Sequence, residues 1–137
     1  MANEIETKDL RQGAMLRAGP HDVYEMLMDS GRHSAFTDAK ARISRKVGGR
    51  FTAYDGWIEG RNVRLVKDRE IVQEWRGADW PEGHYSTVTI TLKGSGSGTR
   101  LMLSQKGIPA NKYTDIRDGW KEWYWERMKV YIAESGE

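Results

Sequence analysis

Three histidines, His21, His33 and His84, are the side chains of this sequence best suited to move a proton at neutral pH or to hold a metal ion. Their positions offer neither. They stand at an expected helix start, inside a short helix and in a loop, without the paired spacing that gathers zinc ligands. Nucleophilic catalysis asks for a nucleophile, a base and an orienting partner within reach of one another. The chain has no G-x-S-x-G, H-E-x-x-H or P-loop pattern. Zero cysteines remove thiol catalysis, disulfides and cysteine-ligated zinc together. The glycine run from Gly94 to Gly98 is no phosphate cradle, because a cradle needs a helix directly after it, and Thr99–Leu103 reads as a strand. The expectation is a binding protein with no catalytic residue, metal or cofactor.

Binding chemistry is better supplied. Six Trp and six Tyr stand beside only two Phe, and such rings combine large buried areas with polar edges. Trp57, Trp75, Trp120, Trp123, Tyr124 and Tyr131 either fill a core or line a cavity for a hydrophobic small molecule. The expected lining of that cavity is Phe36, Phe51, Trp75, Ile116, Trp120, Trp123, Tyr124, Met128 and Tyr131. Patterning puts Trp125 on an outer helix face and Trp80 in a loop, where an exposed Trp marks a contact with a partner. A basic stretch of Lys40, Arg42, Arg45, Lys46 and Arg50, with Arg61, Arg64, Lys67 and Arg69, forms either a positive face for an acidic protein or RNA, or solvated strand edges that resist aggregation. With 22 basic and 20 acidic side chains the net charge is only +2, so nucleic acid is not expected. The N-terminus has no basic start or apolar run of a signal peptide, and nothing approaches the ~18 apolar residues of a membrane span. The expected compartment is the cytoplasm.

The elements that must position these residues form one α+β domain over 8–134, after a flexible N-terminus at 1–7. Lys8 to Arg17 is a candidate strand, ended by Gly19-Pro20, and Pro20 suits the first turn of a helix. Val23 to Met28 and Ser30 to Phe36 are two short helices, the second packing through Ala35 and Phe36. Strands follow at Arg50 to Tyr54, Trp57 to Glu59 (broken by Gly60), Asn62 to Val66 and Ile71 to Trp75, with Asp55-Gly56 as a hairpin signal. From Tyr85 to Leu92 the chain alternates, with Ser86, Val88, Ile90 and Leu92 on one face. Thr99 to Gln105 returns. A long helix from Asn111 to Ala133 places Ile116, Trp120, Trp123, Tyr124, Arg127, Met128 and Tyr131 on one broad face at 100° per residue. A meander of about six antiparallel strands needs a cover, and only this helix is long enough to supply one.

Several short motifs point to a family. Trp80-Pro-Glu-Gly-His84 precedes the alternating strand, and Lys106-Gly-Ile-Pro-Ala110 precedes the long helix, which contains Gly119-Trp120 and Trp123-Tyr-Trp125. Ala35-Phe-Thr37, Gly48-Gly49-Arg-Phe51 and Tyr54-Asp-Gly56 lie upstream in the same order. From about Leu10 to Ile132 the chain resembles the C-terminal domain of the activator of heat-shock protein 90 ATPase, a co-chaperone. That resemblance implies a helix-grip fold of the START and birch-pollen-allergen type, a curved sheet wrapped around the terminal helix. It also implies binding to the chaperone and favouring its closed state, with no hydrolysis by the domain itself. The expected contacts are Trp80, Pro81, Glu82, Gly83, His84 and Trp125, with Arg42, Arg45, Lys46 and Arg50 steering toward an acidic surface. The family's separate N-terminal domain has no counterpart in these residues, so weak stimulation or joint action with a partner is expected. A carrier or sensor of a small hydrophobic ligand is the competing reading.

Overall fold

Alternation of burial from Ser86 to Lys93 sets the character of the molecule: Ser86, Val88, Ile90 and Leu92 are buried, whereas Thr87, Thr91 and Lys93 are exposed. A strand with one apolar face demands a layer against that face. The computed structural model describes residues 5–135, and in it seven strands share one antiparallel sheet. They are β1 (Thr7–Leu16), β2 (Arg42–Ile43), β3 (Arg50–Ala53), β4 (Ile58–Val66), β5 (Glu70–Gly77), β6 (Ser86–Ser95) and β7 (Gly98–Pro109), in the order β1-β7-β6-β5-β4-β3-β2. The expected segments Trp57–Glu59 and Asn62–Val66 join as β4, and Arg42–Ile43 adds a short edge against Thr52 and Phe51. Between β1 and β2 run α1 (Pro20–Met28), started by proline, and α2 (Ser30–Thr37), capped by the Asp29 carboxylate accepting from Arg32 N–H at 2.9 Å. Ala35 is exposed, and His33, Phe36 and Thr37 carry the packing of α2 instead.

Gly60 does not break its strand. It lies inside β4 opposite Trp75, where a Cβ would sit 1.8 Å from the Glu74 carbonyl oxygen, so only glycine lets β4 and β5 approach. The hairpin after β3 turns through Tyr54, Asp55 and Gly56, all with positive φ (50°, 58° and 94°). Of the N-terminal segment, residues 1–4 lie outside the described residues. Thr7 already belongs to β1, and the Glu6 carbonyl accepts from Ala110 N–H at 2.8 Å.

The terminal helix is continuous but not uniform. A 3₁₀ turn (Ala110–Lys112) leads into α3 (Tyr113–Trp120), a π-helical segment (Lys121–Trp125) and α4 (Glu126–Ser135). A buried chain of hydrogen bonds seats it on the sheet. Trp120 Nε1 donates to Gln105 Oε1 (2.7 Å), Gln105 Nε2 to Ser86 Oγ (2.9 Å), and Ser86 Oγ to the Trp75 carbonyl (2.9 Å). Satisfied buried polar chains of this kind fix one register where apolar contact alone would tolerate several.

Candidate functional site: an aromatic cleft beside a braced loop

The π segment decides which aromatic rings reach solvent. A turn closed by i→i+5 bonds holds more residues than an α turn, so each residue advances less than 100° and the helix face lags. Trp125, expected on the outer face, is therefore carried inward. It is 2% exposed, stacks on Trp120 at 5.3 Å between centroids, and donates through Nε1 to Gln12 Oε1 at 2.8 Å. Trp123 is carried outward to 42% exposure. Side chains from the sheet take up helix carbonyls around the segment. Gln12 Nε2 donates to the Arg117 carbonyl (2.7 Å), while Lys121 N–H turns to Asp118, and the Tyr54 hydroxyl donates to the Trp123 carbonyl.

Inside the grip almost no space is left. Phe51, Trp75, Trp120 and Tyr124 border a void of only about 20 Å³, room for one water at most. Phe36 packs edge-on to Tyr124 at 5.8 Å and lies 6.5 Å from the half-buried Tyr131, and Met128 is fully buried, so these three belong to the core rather than to a cavity wall. An aromatic open space lies further out, between the β3–β4 hairpin and α3, as a cleft of about 430 Å³. Trp75, Ile116, Trp120, Trp123 and Tyr124 line it, joined by Tyr54, Trp57, Ile58, Asp115 and Gly119. Trp57 is 40% exposed, with its ring packed against Gly77, where a Cβ would come within 2.6 Å of it. Gly119, a glycine on the aromatic face of the helix, weakens the helix there and opens space for the cleft.

Electrostatically the cleft is simple. Burial pushes the Tyr54 hydroxyl up to about 12 and Tyr124 well above the ordinary tyrosine value. Both stay protonated, which leaves the Asp115 carboxylate as the charge on the lining. His33 lies deeper, 4% exposed, with Nε2 3.0 Å from the Tyr124 hydroxyl, and burial lowers its pKa to about 4. It is neutral and sealed from the cleft. Among the described residues no three His, Cys, Asp or Glu side chains converge on a metal position, and no helix is long and apolar enough to cross a membrane.

Next to the cleft, the loop from Trp80 to His84 is braced from below. Trp80, expected at the surface, is 4% exposed and packs against Trp75 (5.5 Å) and His84 (6.1 Å). A large apolar ring in a short loop anchors that loop to the core, which patterning by element cannot reveal. Arg76 holds the loop through Nη2 to the Trp80 and Pro81 carbonyls (2.7 and 3.3 Å) and Nη1 to Glu59 (3.2 Å). His84 Nε2 donates to the Gly107 carbonyl at 2.8 Å, and Gly83 turns the chain at φ +77°. Pro81, Glu82 and Gly83 form the exposed tip. Of the basic residues, Arg42, Lys46 and Arg50 are exposed without an ion pair among the described residues, whereas both Arg45 terminal nitrogens bind the Glu25 carboxylate (2.6 and 3.1 Å). Arg61 and Arg64 are likewise paired, with Glu74 and Glu70.

A curved antiparallel sheet clasping one aromatic helix, with two short helices after the first strand, defines a helix-grip protein. Within that class the chain belongs to the family described as "Activator of Hsp90 ATPase homolog 1-like protein", whose family model matches residues 17–133. It is 36% identical over 110 residues to the human "Activator of 90 kDa heat shock protein ATPase homolog 1", an alignment covering 80% of this chain and 32% of that protein. It is 33% identical over 130 residues to the Dictyostelium discoideum activator, covering 94% and 34%. The chain thus spans about a third of the length of the curated relatives it matches. Among solved structures, an HSP90 activator from Plasmodium falciparum superposes with a TM-score of 0.84 at 25% identity, covering 91% of this chain and 96% of that one. These relatives are named as activators of another protein's ATPase.

Proposed function

We propose that this domain is a co-chaperone module that binds heat-shock protein 90 in the cytoplasm and raises its ATPase rate by favouring the closed state. The observation that carries the reading is likeness to named activators over nearly the whole chain. The surface suits the role. The Pro81-Glu82-Gly83 tip is exposed and rigidly braced, and Arg42, Lys46 and Arg50 present free positive charge toward an acidic partner. Trp80, His84 and Trp125 act from beneath this surface, Trp80 and His84 by holding the tip and Trp125 by seating the helix. Arg45 contributes through its pair with Glu25. Stimulation of this kind needs no reactive group, because a ligand with higher affinity for one of two states shifts their populations.

The test is a chaperone ATPase assay with and without the domain, repeated with a full-length activator as competitor. A rise in turnover that the competitor displaces is the expected result. Unchanged turnover, together with no retention of chaperone on the immobilised domain, overturns the reading. The roughly 430 Å³ cleft favours a second reading, a small-molecule carrier or sensor. Native mass spectrometry of gently purified protein separates the two, since a carrier retains added mass.

A further inference from the structure

The cleft wall is aromatic, yet a carboxylate stands in it. Trp57, Trp75, Trp120 and Trp123 supply indole rings, and Asp115 lies at the helix edge of the same surface. Asp115 has no cationic partner among the described residues, and no Lys or Arg lines the cleft. Its neighbour one turn on, Asp118, is paired with Arg117 at 3.0 Å, so Asp115 is the carboxylate left to the cleft.

These features discriminate among ligand classes. A neutral apolar molecule filling the cleft would strip water from Asp115 and return nothing, which costs free energy. An anion would meet like charge. A cation with an apolar body gains from both groups, because indole faces attract positive charge within about 6 Å of the ring centre and the carboxylate adds a direct ion pair. The chain already uses this attraction, with the Arg127 guanidinium 4.6 Å over the Trp123 ring. We propose that the cleft binds an organic cation, an alkylammonium or guanidinium group, seated among the indoles with its charge toward Asp115. That group belongs either to a free small molecule or to a Lys or Arg side chain of a partner. The inference stands apart from the chaperone reading, since its readout needs no chaperone.

The full chain is titrated with choline, with its uncharged carbon isostere dimethylbutanol, and with a capped tripeptide centred on arginine, while the indole N–H resonances of Trp57 and Trp123 are followed. The expected result is saturable movement of both resonances with a cation, and binding of the isostere at least about tenfold weaker. Asp115→Asn, an exposed change that leaves the core untouched, should weaken cation binding by about fivefold to tenfold, less at high salt. Trp123→Ala should weaken it comparably. Saturation by choline assigns the site to a free ammonium ligand, and saturation by the arginine peptide alone assigns it to a partner side chain. Equal binding of the isostere, affinity unchanged in Asp115→Asn, or no saturable movement with either cation overturns the proposal.

Discussion

His33 and Tyr124 form the most deeply enclosed polar contact between the short helices and the terminal helix, and the histidine remains uncharged because burial holds its pKa near 4. Its ordinary value is 6.5, so between these two limits the unfolded chain binds a proton that the native protein refuses. Stability is then fully present above pH 6.5, falls as the pH drops toward 4, and falls no further from this source below that. The loss is on the order of 3 kcal/mol. Urea midpoints of the wild type and His33→Gln, measured at pH 7 and pH 4.5, should converge at the lower pH because glutamine does not titrate. Parallel losses in the two proteins would dismiss His33 as the source. At this scale the sequence was partly legible. The Ser86 alternation and Trp120 on the apolar face read directly from spacing. The partners of His33 and Gln12 did not, because they lie about ninety or more residues away in the chain.

One helical turn explains most of the difference between expectation and structure at the level of elements. Counting 100° per residue places Ile116 and Trp120 correctly, because the helix is α up to that point. Beyond it the π segment slows the rotation, so Trp125 exchanges places with Trp123, a change that hydrophobic spacing cannot signal. The β3–β4 hairpin forms the opposite wall of the cleft and is held by Trp57 packed against Gly77. Gly77→Ala would bring a methyl group within 2.6 Å of that ring, too close to keep the ring where it is. The strand tolerates alanine, so the expected outcome is a folded protein with Trp57 displaced, altered cleft resonances and stability lowered by about 1–3 kcal/mol. An unchanged Trp57 indole environment in a folded Gly77→Ala protein would count against the packing described.

For the molecule as a whole, both signs of charge gather toward one end of the sheet. Asp115 lines the cleft against the β3–β4 hairpin, and Arg42, Lys46 and Arg50 lie on and beside the strands β2 and β3 at that same end of the sheet order. Replacing these three with glutamate should slow association with an acidic chaperone by about tenfold or more at low salt, with little change in dissociation. Stopped-flow binding across a salt series measures this, and an unaltered association rate would place the contact elsewhere. The sheet order carries another consequence. Thr7 lies opposite Pro109, so the first strand finds its neighbour only near the end of the chain. Pairings so distant along the sequence slow folding, and a nascent chain leaving the ribosome carries Leu10 and Leu16 without their strand partner until β7 has emerged. The aromatic helix follows last, so a fragment stopping short of Tyr113 would have a strand for each place in the sheet and no plug to hold it shut.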